Sequence, residues 1–423
     1  MVPRYGPPPD PTELVIASDF GTVPVAWVLC IVAGLLVAWF GRRSSFLAVL
    51  GLSVALTAPA AALLPTAVWG AWPTIDKTGS LHFLALNAQF HSFDTSAPAT
   101  QLIGVSMGHL WVTWIFTAFM PAFAASNLHA LLNLVLGWWL AGRLAVATGT
   151  PERWAISAGF PMALGLHLFR DINWYTIEKS GLWALTFYAL MLVQAHRRGR
   201  GWIVAAGLSY FFAFYYNSYF GVLGALLGGA ALVVGNRNAR IAVLASVVGA
   251  LPFLALQLPA LQNDALPPPA AFATRAALDV VTLMPLEWNR LELWRAVDGV
   301  VVLAALSTAL GAVHRCRDSD AAIATEARTE LGLLLALIVP TLLALGPVTP
   351  LWRVFASLPG MWRFAKPEAF FHLVILGLVV LAGRGFDRGR WHPRTVLALQ
   401  VALWIWLVRG HPVYPGFTAP PVG

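Results

Sequence analysis

Charge is scarce in this chain: Asp, Glu, Lys and Arg together supply 11% of its 423 residues, against about a quarter in an ordinary soluble domain. That shortage excludes a soluble fold with a normal charged surface, because 58% of the residues are hydrophobic and the mean hydropathy is +0.71. No core of this size hides so much apolar surface. Cysteine is scarcer still. Cys30 lies in an apolar run and Cys316 among arginines, so no disulfide framework is expected. The first apolar run follows Pro7, Pro8, Pro9 and Pro11 without a basic segment before it, so a cleaved signal peptide is not expected. There is no P-loop, no GxGxxG after a strand and no GxSxG elbow, which removes nucleotide-driven pumping and serine hydrolysis from the leading readings. His82, His91, His109 and His129 fit no zinc spacing, so a structural or interfacial role is expected of each and no metal ligand is assigned. No repeat of 20 to 50 residues interrupts the chain, which reads as one domain over residues 1–423.

What is present is a succession of apolar runs between short clusters of arginine. A membrane span needs roughly 20 mostly apolar residues, since a helix alone satisfies its own backbone in hydrocarbon. The runs predict an all-α, polytopic helical bundle of about 12 spans. They lie near 23–40, 46–66, 127–147, 154–169, 180–195, 202–216, 219–235, 241–261, 297–313, 329–346, 368–383 and 394–409. A further apolar run, 103–124, decides the orientation of everything after it. If it does not cross, 16 of the 27 basic residues fall in short loops on one side, from Arg42 and Arg43 to Arg390 and Arg394. That side is then cytoplasmic. The run 103–124, with His109, Trp111 and Trp114, is accordingly expected to be an interfacial or re-entrant helix. The external face receives the N-terminal segment 1–22, the long segments 67–126, 262–296 and 347–367, and the shorter 170–179. The net charge of +8 comes from these dispersed arginines and not from one polar face, so no nucleic-acid partner is expected.

Chemistry is therefore sought in the external segments. Asp76 stands just beyond an outward-going span, where partial desolvation would prepare a carboxylate to accept a proton. Asp94 is a second acid of the same loop. The segment Arg170, Asp171, Trp174, Tyr175, Glu178 and Lys179 joins charges to aromatic planes, a combination suited to sugar or headgroup contact and equally to an aromatic belt with local ion pairs. Arg353, Arg363 and Lys366 place three cations on the face that cations usually avoid. They fit either a lipid-linked phosphate or snorkelling anchors. Tyr210, Tyr215, Tyr216, Asn217 and Tyr219 cluster at a tight turn, which an interfacial belt would explain. His167, His372 and Glu368 stand near span ends, so no proton relay at mid-bilayer depth is read and transport ranks last.

The layout resembles the GT-C-type membrane glycosyltransferases, a group that takes in protein mannosyltransferase-like and YfhO-like bacterial proteins. An outward-going span ends just before Asp76, interfacial segments follow, and the next span opens with Ser126, Asn127 and Leu128. The stretch from Leu342 to Arg388, LLALGPVTPLWRVFASLPGMWRFAKPEAFFHLVILGLVVLAGRGFDR, carries the closest local likeness. The resemblance implies a multi-pass protein of the bacterial inner membrane that moves a sugar from a polyprenyl-phosphate donor to an external acceptor. Asp76 would be the base, Arg353, Arg363 and Lys366 would hold the donor phosphate, and Asp171 or Glu178 would position the acceptor. A divalent cation is the one cofactor to consider. The alternative is a non-catalytic relative that binds lipid or scaffolds a membrane protein complex. The additional span at 23–40 and Ala369, where the group often has a cation, both favour it.

Overall fold

The computed structural model describes residues 23–41, 45–58, 107–120, 122–164, 181–263, 299–318, 320–346, 349–358, 367–389 and 391–409. Every regular element among them is helical. Helices α1 (Val23–Phe40) and α2 (Ser45–Leu56) precede the short α3 (Met107–Thr117) and the long α4 (Ala122–Ala147). A 3-10 turn, α5 (Ala155–Gly159) and α6 (Pro161–Leu164) lead to α7 (Trp183–Arg198), α8 (Arg200–Tyr216), α9 (Ser218–Val234) and α10 (Arg237–Asn263). Then follow α11 (Gly299–Arg315), α12 (Ala321–Ala336), α13 (Ile338–Ala344), α14 (Pro350–Ser357), α15 (Phe371–Arg388) and α16 (Pro393–Arg409).

Most expected segments coincide with a helix to within a few residues, with two departures. The segment expected at 154–169 is broken at Pro161, which lacks the N–H that would bond the Ser157 carbonyl. The Gln400 side-chain amide of α16 donates to that carbonyl instead, at 2.9 Å. The segment expected to start at 329 begins eight residues earlier, which draws Glu326, Arg328 and Glu330 into α12. Among the described residues two helical stretches are long and apolar enough to cross a membrane, Asn127–Ala147 and Ile323–Ala344. Five further apolar helices run only 10–17 residues. At 1.5 Å per residue these reach at most about 25 Å, short of a hydrocarbon layer of about 30 Å.

Close backbone contacts set the direction of each helix. Glycines let α4 and α5 touch main chain to main chain. A Cβ added at Gly142 would stand 2.4 Å from the Ala155 carbonyl oxygen, and one at Gly159 would stand 2.3 Å from that of Trp138. The pair is therefore antiparallel. Gly159→Val is expected to force α5 off α4 and cost about 1–3 kcal/mol or more, as overpacking does. A melting temperature of the purified full chain equal to wild type would contradict it. The same reading of contacts carries through the bundle. Trp139 Nε1 donates to Ser45, Trp183 Nε1 to Asn133, and Asn236 Nδ2 to the His196 carbonyl. The ends flanking residues 59–106, 165–180, 264–298 and 359–366 consequently gather at one end of the bundle. The arginines of the short turns gather at the other.

Many of the largest apolar side chains face outward. Val28, Leu29, Val32, Leu35 and Leu36 of α1 are exposed, as are Leu244, Val247, Val248 and Leu251 of α10 and Leu303, Leu306 and Leu310 of α11. Continuous apolar faces on three helices are far larger than the patches a water-soluble monomer tolerates.

Candidate functional site

Of the residues singled out for chemistry, Asp76, Asp94, Arg170, Asp171, Glu178, Lys179, Arg363 and Lys366 lie outside the described residues. Arg353 is described. It stands exposed on α14, whose Trp352 is buried against Phe355 and Phe370. That contact puts Arg353 at the end of the bundle where the flanks of the long segments meet. His82, His91 and His167 also lie outside the described residues, as do the side chains of His109, Trp111 and Glu368.

At this end the described helices enclose a chain of buried polar contacts. Trp183 can only donate, so its 2.7 Å bond to Asn133 makes the near atom of that amide the carbonyl oxygen. Tyr216 reaches the same oxygen at 3.0 Å and must spend its one hydroxyl proton there. Its oxygen then accepts from Nε2 of His129 at 2.7 Å, which assigns the imidazole proton to Nε2. Nδ1 of His129 meets the Thr113 hydroxyl, also at 2.7 Å. Four helices, α3, α4, α7 and α8, are tied together by these contacts. His129 is 1% exposed and Tyr216 0%. The Tyr216 ring lies edge-on to Trp183 and against Gly181, where an added Cβ would come within 2.1 Å of it.

The interfacial belt expected of the tyrosine cluster is corrected here. Tyr210 and Tyr216 are buried inside the bundle, with Tyr210 donating to the Gly221 carbonyl at 3.0 Å. Asn217 is buried too, and its side chain caps α9 by accepting from the Tyr219 amide. Belt and core compositions look alike because a tyrosine ring is apolar with a single polar tip, and only its neighbours decide which end is wet.

The opposite end holds a charged cluster that sequence reasoning missed. Glu330 of α12 is completely buried. Arg388 meets its two oxygens with two nitrogens at 2.8 and 2.6 Å, Arg315 reaches it at 2.7 Å and Arg384 at 3.1 Å. Arg388 also bonds Glu326, and Arg384 donates to the Thr148 carbonyl where α4 ends. The arginines expected only to mark the cytoplasmic side thus also join α4, α11, α12 and α15. The signal was the spacing of Arg384 and Arg388, one helical turn apart, opposite Glu326 and Glu330, also one turn apart.

Beyond this cluster, Arg153 donates to Asp387 and Trp154 Nε1 donates to the same oxygen at 3.1 Å. The Arg153 guanidinium holds the Asp387 carboxyl below the usual range. A depressed carboxyl contributes stability in full above its unfolded value, about 4, and loses it as pH falls through the lower folded value. Asp387→Asn is expected to flatten the fall of melting temperature below about pH 4. An acid limb identical to that of the wild type would contradict the assignment.

Among the described residues no group of three His, Cys, Asp or Glu is placed to hold a metal ion. The two cysteines are free. No protein-family model matches the chain, and no curated protein is similar to it at a significant level.

Proposed function

We propose that this chain is a multi-pass integral membrane transferase of the bacterial inner membrane that moves a sugar from a polyprenyl-phosphate donor to an acceptor on the external face. The observation that carries the reading is the gathering of the ends that flank residues 59–106, 165–180 and 359–366 at one end of the bundle. Those segments contain Asp76 and Asp94, then Arg170, Asp171, Glu178 and Lys179, then Arg363 and Lys366. Arg353 is exposed at the same end. The outward apolar faces of α1, α10 and α11 support a lipid surround, because hydrocarbon solvates such faces where water does not. The separation of arginine turns from the long segments supports a cytoplasmic arginine end.

In this reading an acceptor hydroxyl attacks the anomeric carbon as the bond from that carbon to the phosphate oxygen breaks. The hydroxyl proton passes to Asp76 and the electron pair leaves with the polyprenyl phosphate. Arg353, Arg363 and Lys366 would stabilise the charge that grows on the leaving phosphate. The test is transfer of labelled sugar from a polyprenyl-phosphate donor by membranes carrying the wild-type chain or Asp76→Asn. Loss of transfer at unchanged membrane abundance is expected, and full transfer by the variant would remove the base. The competing reading is a non-catalytic subunit of the same architecture that binds lipid or scaffolds a complex. It predicts no transfer by the wild type and stable co-purification with other membrane proteins.

A further inference from the structure

We propose that the turns joining α7 to α8 and α9 to α10 form a binding surface for anionic phospholipid headgroups at the arginine end of the bundle. From Gly181 to Asn263 the chain contains no Asp, Glu or Lys, and its arginines there, Arg197, Arg198, Arg200, Arg237 and Arg240, all stand in or beside these two turns. Each is exposed, and none pairs with a carboxylate among the described residues. Elsewhere at the same end the pattern is different. Arg143 meets Glu152, Arg153 meets Asp387, and Arg315, Arg384 and Arg388 converge on Glu330. Carboxylates thus accompany one set of arginines and leave the other to an anion from outside the chain.

The two turns are held side by side. Asn236 Oδ1 accepts the Ala239 amide at the start of α10, which leaves Asn236 Nδ2 to donate to the His196 carbonyl at the end of α7, at 2.8 Å. A Cβ added at Gly199, whose φ is +85°, would stand 3.5 Å from the Asn238 side chain. Helices α8 and α10 leave this junction in parallel, since Gly207 packs on Ala245 and, four residues on in both helices, Phe211 packs on Gly249. Cations from both turns therefore share one surface, whose summed field draws a counter-charge.

What lies beyond the arginines selects the partner. Val233 and Val234 just before Arg237, Val204 and Leu208 of α8, and Leu244, Val248 and Leu251 of α10 are all exposed. From Arg237 to Leu251 the helix runs about 21 Å, more than half of a hydrocarbon layer of about 30 Å. An acidic protein or a nucleic acid would cover the cations and leave these side chains wet. A phospholipid covers both, with its phosphate on the guanidinium groups and its acyl chains along the valine and leucine face. Arg198 also lies over the Trp202 ring, 5.7 Å from its centre, and tryptophan is a residue type that settles at headgroup depth. The surface is at the opposite end from Arg353, so it is separate from the donor site. It rests on the membrane part of the proposed function and not on sugar transfer.

The experiment titrates the full chain, purified in a neutral detergent, with phosphatidylglycerol or phosphatidylcholine and counts bound lipids by mass spectrometry of the intact complex. The wild type is expected to bind phosphatidylglycerol about tenfold or more tightly than phosphatidylcholine. Arg237→Gln combined with Arg240→Gln is expected to lose about tenfold or more of that affinity, since each cation at an anionic surface is worth about fivefold. Arg197→Gln with Arg200→Gln repeats the test on the other turn. The control, Arg317→Gln with Arg328→Gln, removes the same charge from exposed arginines that Asp318, Asp320 and Glu326 flank in sequence. It is expected to stay within about twofold of wild type, because the nearby carboxylates already offset those cations. Equal affinity of the wild type for both lipids, equal loss in all three double variants, or displacement of phosphatidylglycerol by inorganic phosphate at the same concentration would overturn the proposal. So would tighter binding of polyglutamate or polyuridylate than of the lipid, which would give the surface to a soluble polyanion. If Asp76→Asn retains full transfer, the transferase reading falls and the lipid titration still decides this surface. If alkaline carbonate strips the chain from membranes, the membrane reading falls and takes this proposal with it.

Discussion

Glu330→Gln is expected to destabilise the full chain by about 3–5 kcal/mol, the cost of breaking a buried charge cluster by removing one partner. The variant keeps the size and shape of the side chain, so packing does not enter. What changes is that Arg315, Arg384 and Arg388 converge on a site that no longer carries negative charge. Their side chains are each less than a third exposed, so water restores little of the lost stabilisation. Glu326 remains, but it reaches only Arg388. The exposed pair Arg143–Glu152 is the control: its side chains are 38% and 58% exposed, and Glu152→Gln is expected to cost less than about 1 kcal/mol. Denaturant or thermal unfolding of the three proteins in one detergent measures both. Combining Glu330→Gln with Arg388→Met should recover part of the loss, because it removes one of the facing cations. A Glu330→Gln variant as stable as Glu152→Gln would show that the arginines carry themselves without the carboxylate.

Asp76→Asn is expected to lower sugar transfer about 10²–10⁴-fold, the usual worth of a positioned general base. The amide is isosteric with the carboxylate and can still accept a hydrogen bond from the acceptor hydroxyl, but it cannot take up the proton. Binding should therefore persist while the chemical step fails, and the defect should appear in kcat with KM for the donor nearly unchanged. Replacing Arg363 or Lys366 by Gln should act differently. Loss of a phosphate contact made in both ground and transition states raises KM, and loss of one that strengthens as the phosphate departs lowers kcat. An Asp76→Asn variant with wild-type turnover, beside an Arg363→Gln variant that fails, would keep the donor site and move the base elsewhere, with Asp94 the next carboxylate in the same segment.

Legibility in the sequence followed the range of the interaction concerned. Helix positions were readable because apolar runs and arginine punctuation act over one element at a time. Pro161 was visible as a break only once Gln400 was seen to complete the Ser157 carbonyl from a helix more than 240 residues away. Tyr216 read as a belt residue because its composition is that of a belt, and its burial depends on Gly181, Trp183 and His129, which two other parts of the chain bring to it. Asp76 and the other external candidates were found by their place in the order of spans, a one-dimensional property. Arg353 alone among them is described, exposed on α14.

The amino-acid sequence by itself determined that the protein is all-helical, that its apolar runs alternate with arginine turns, and that its polar variety is concentrated in a few long segments. These follow from backbone hydrogen bonding and side-chain solvation, which each stretch of chain satisfies locally. Only the tertiary structure decided that Glu330 pairs with three arginines, that glycines weld α4 to α5, and that Thr113, His129 and Tyr216 meet in one buried chain. Those depend on which donor meets which acceptor across helices, and hydrogen bonds and ion pairs act over about 3 Å, a distance that spacing along the chain does not encode.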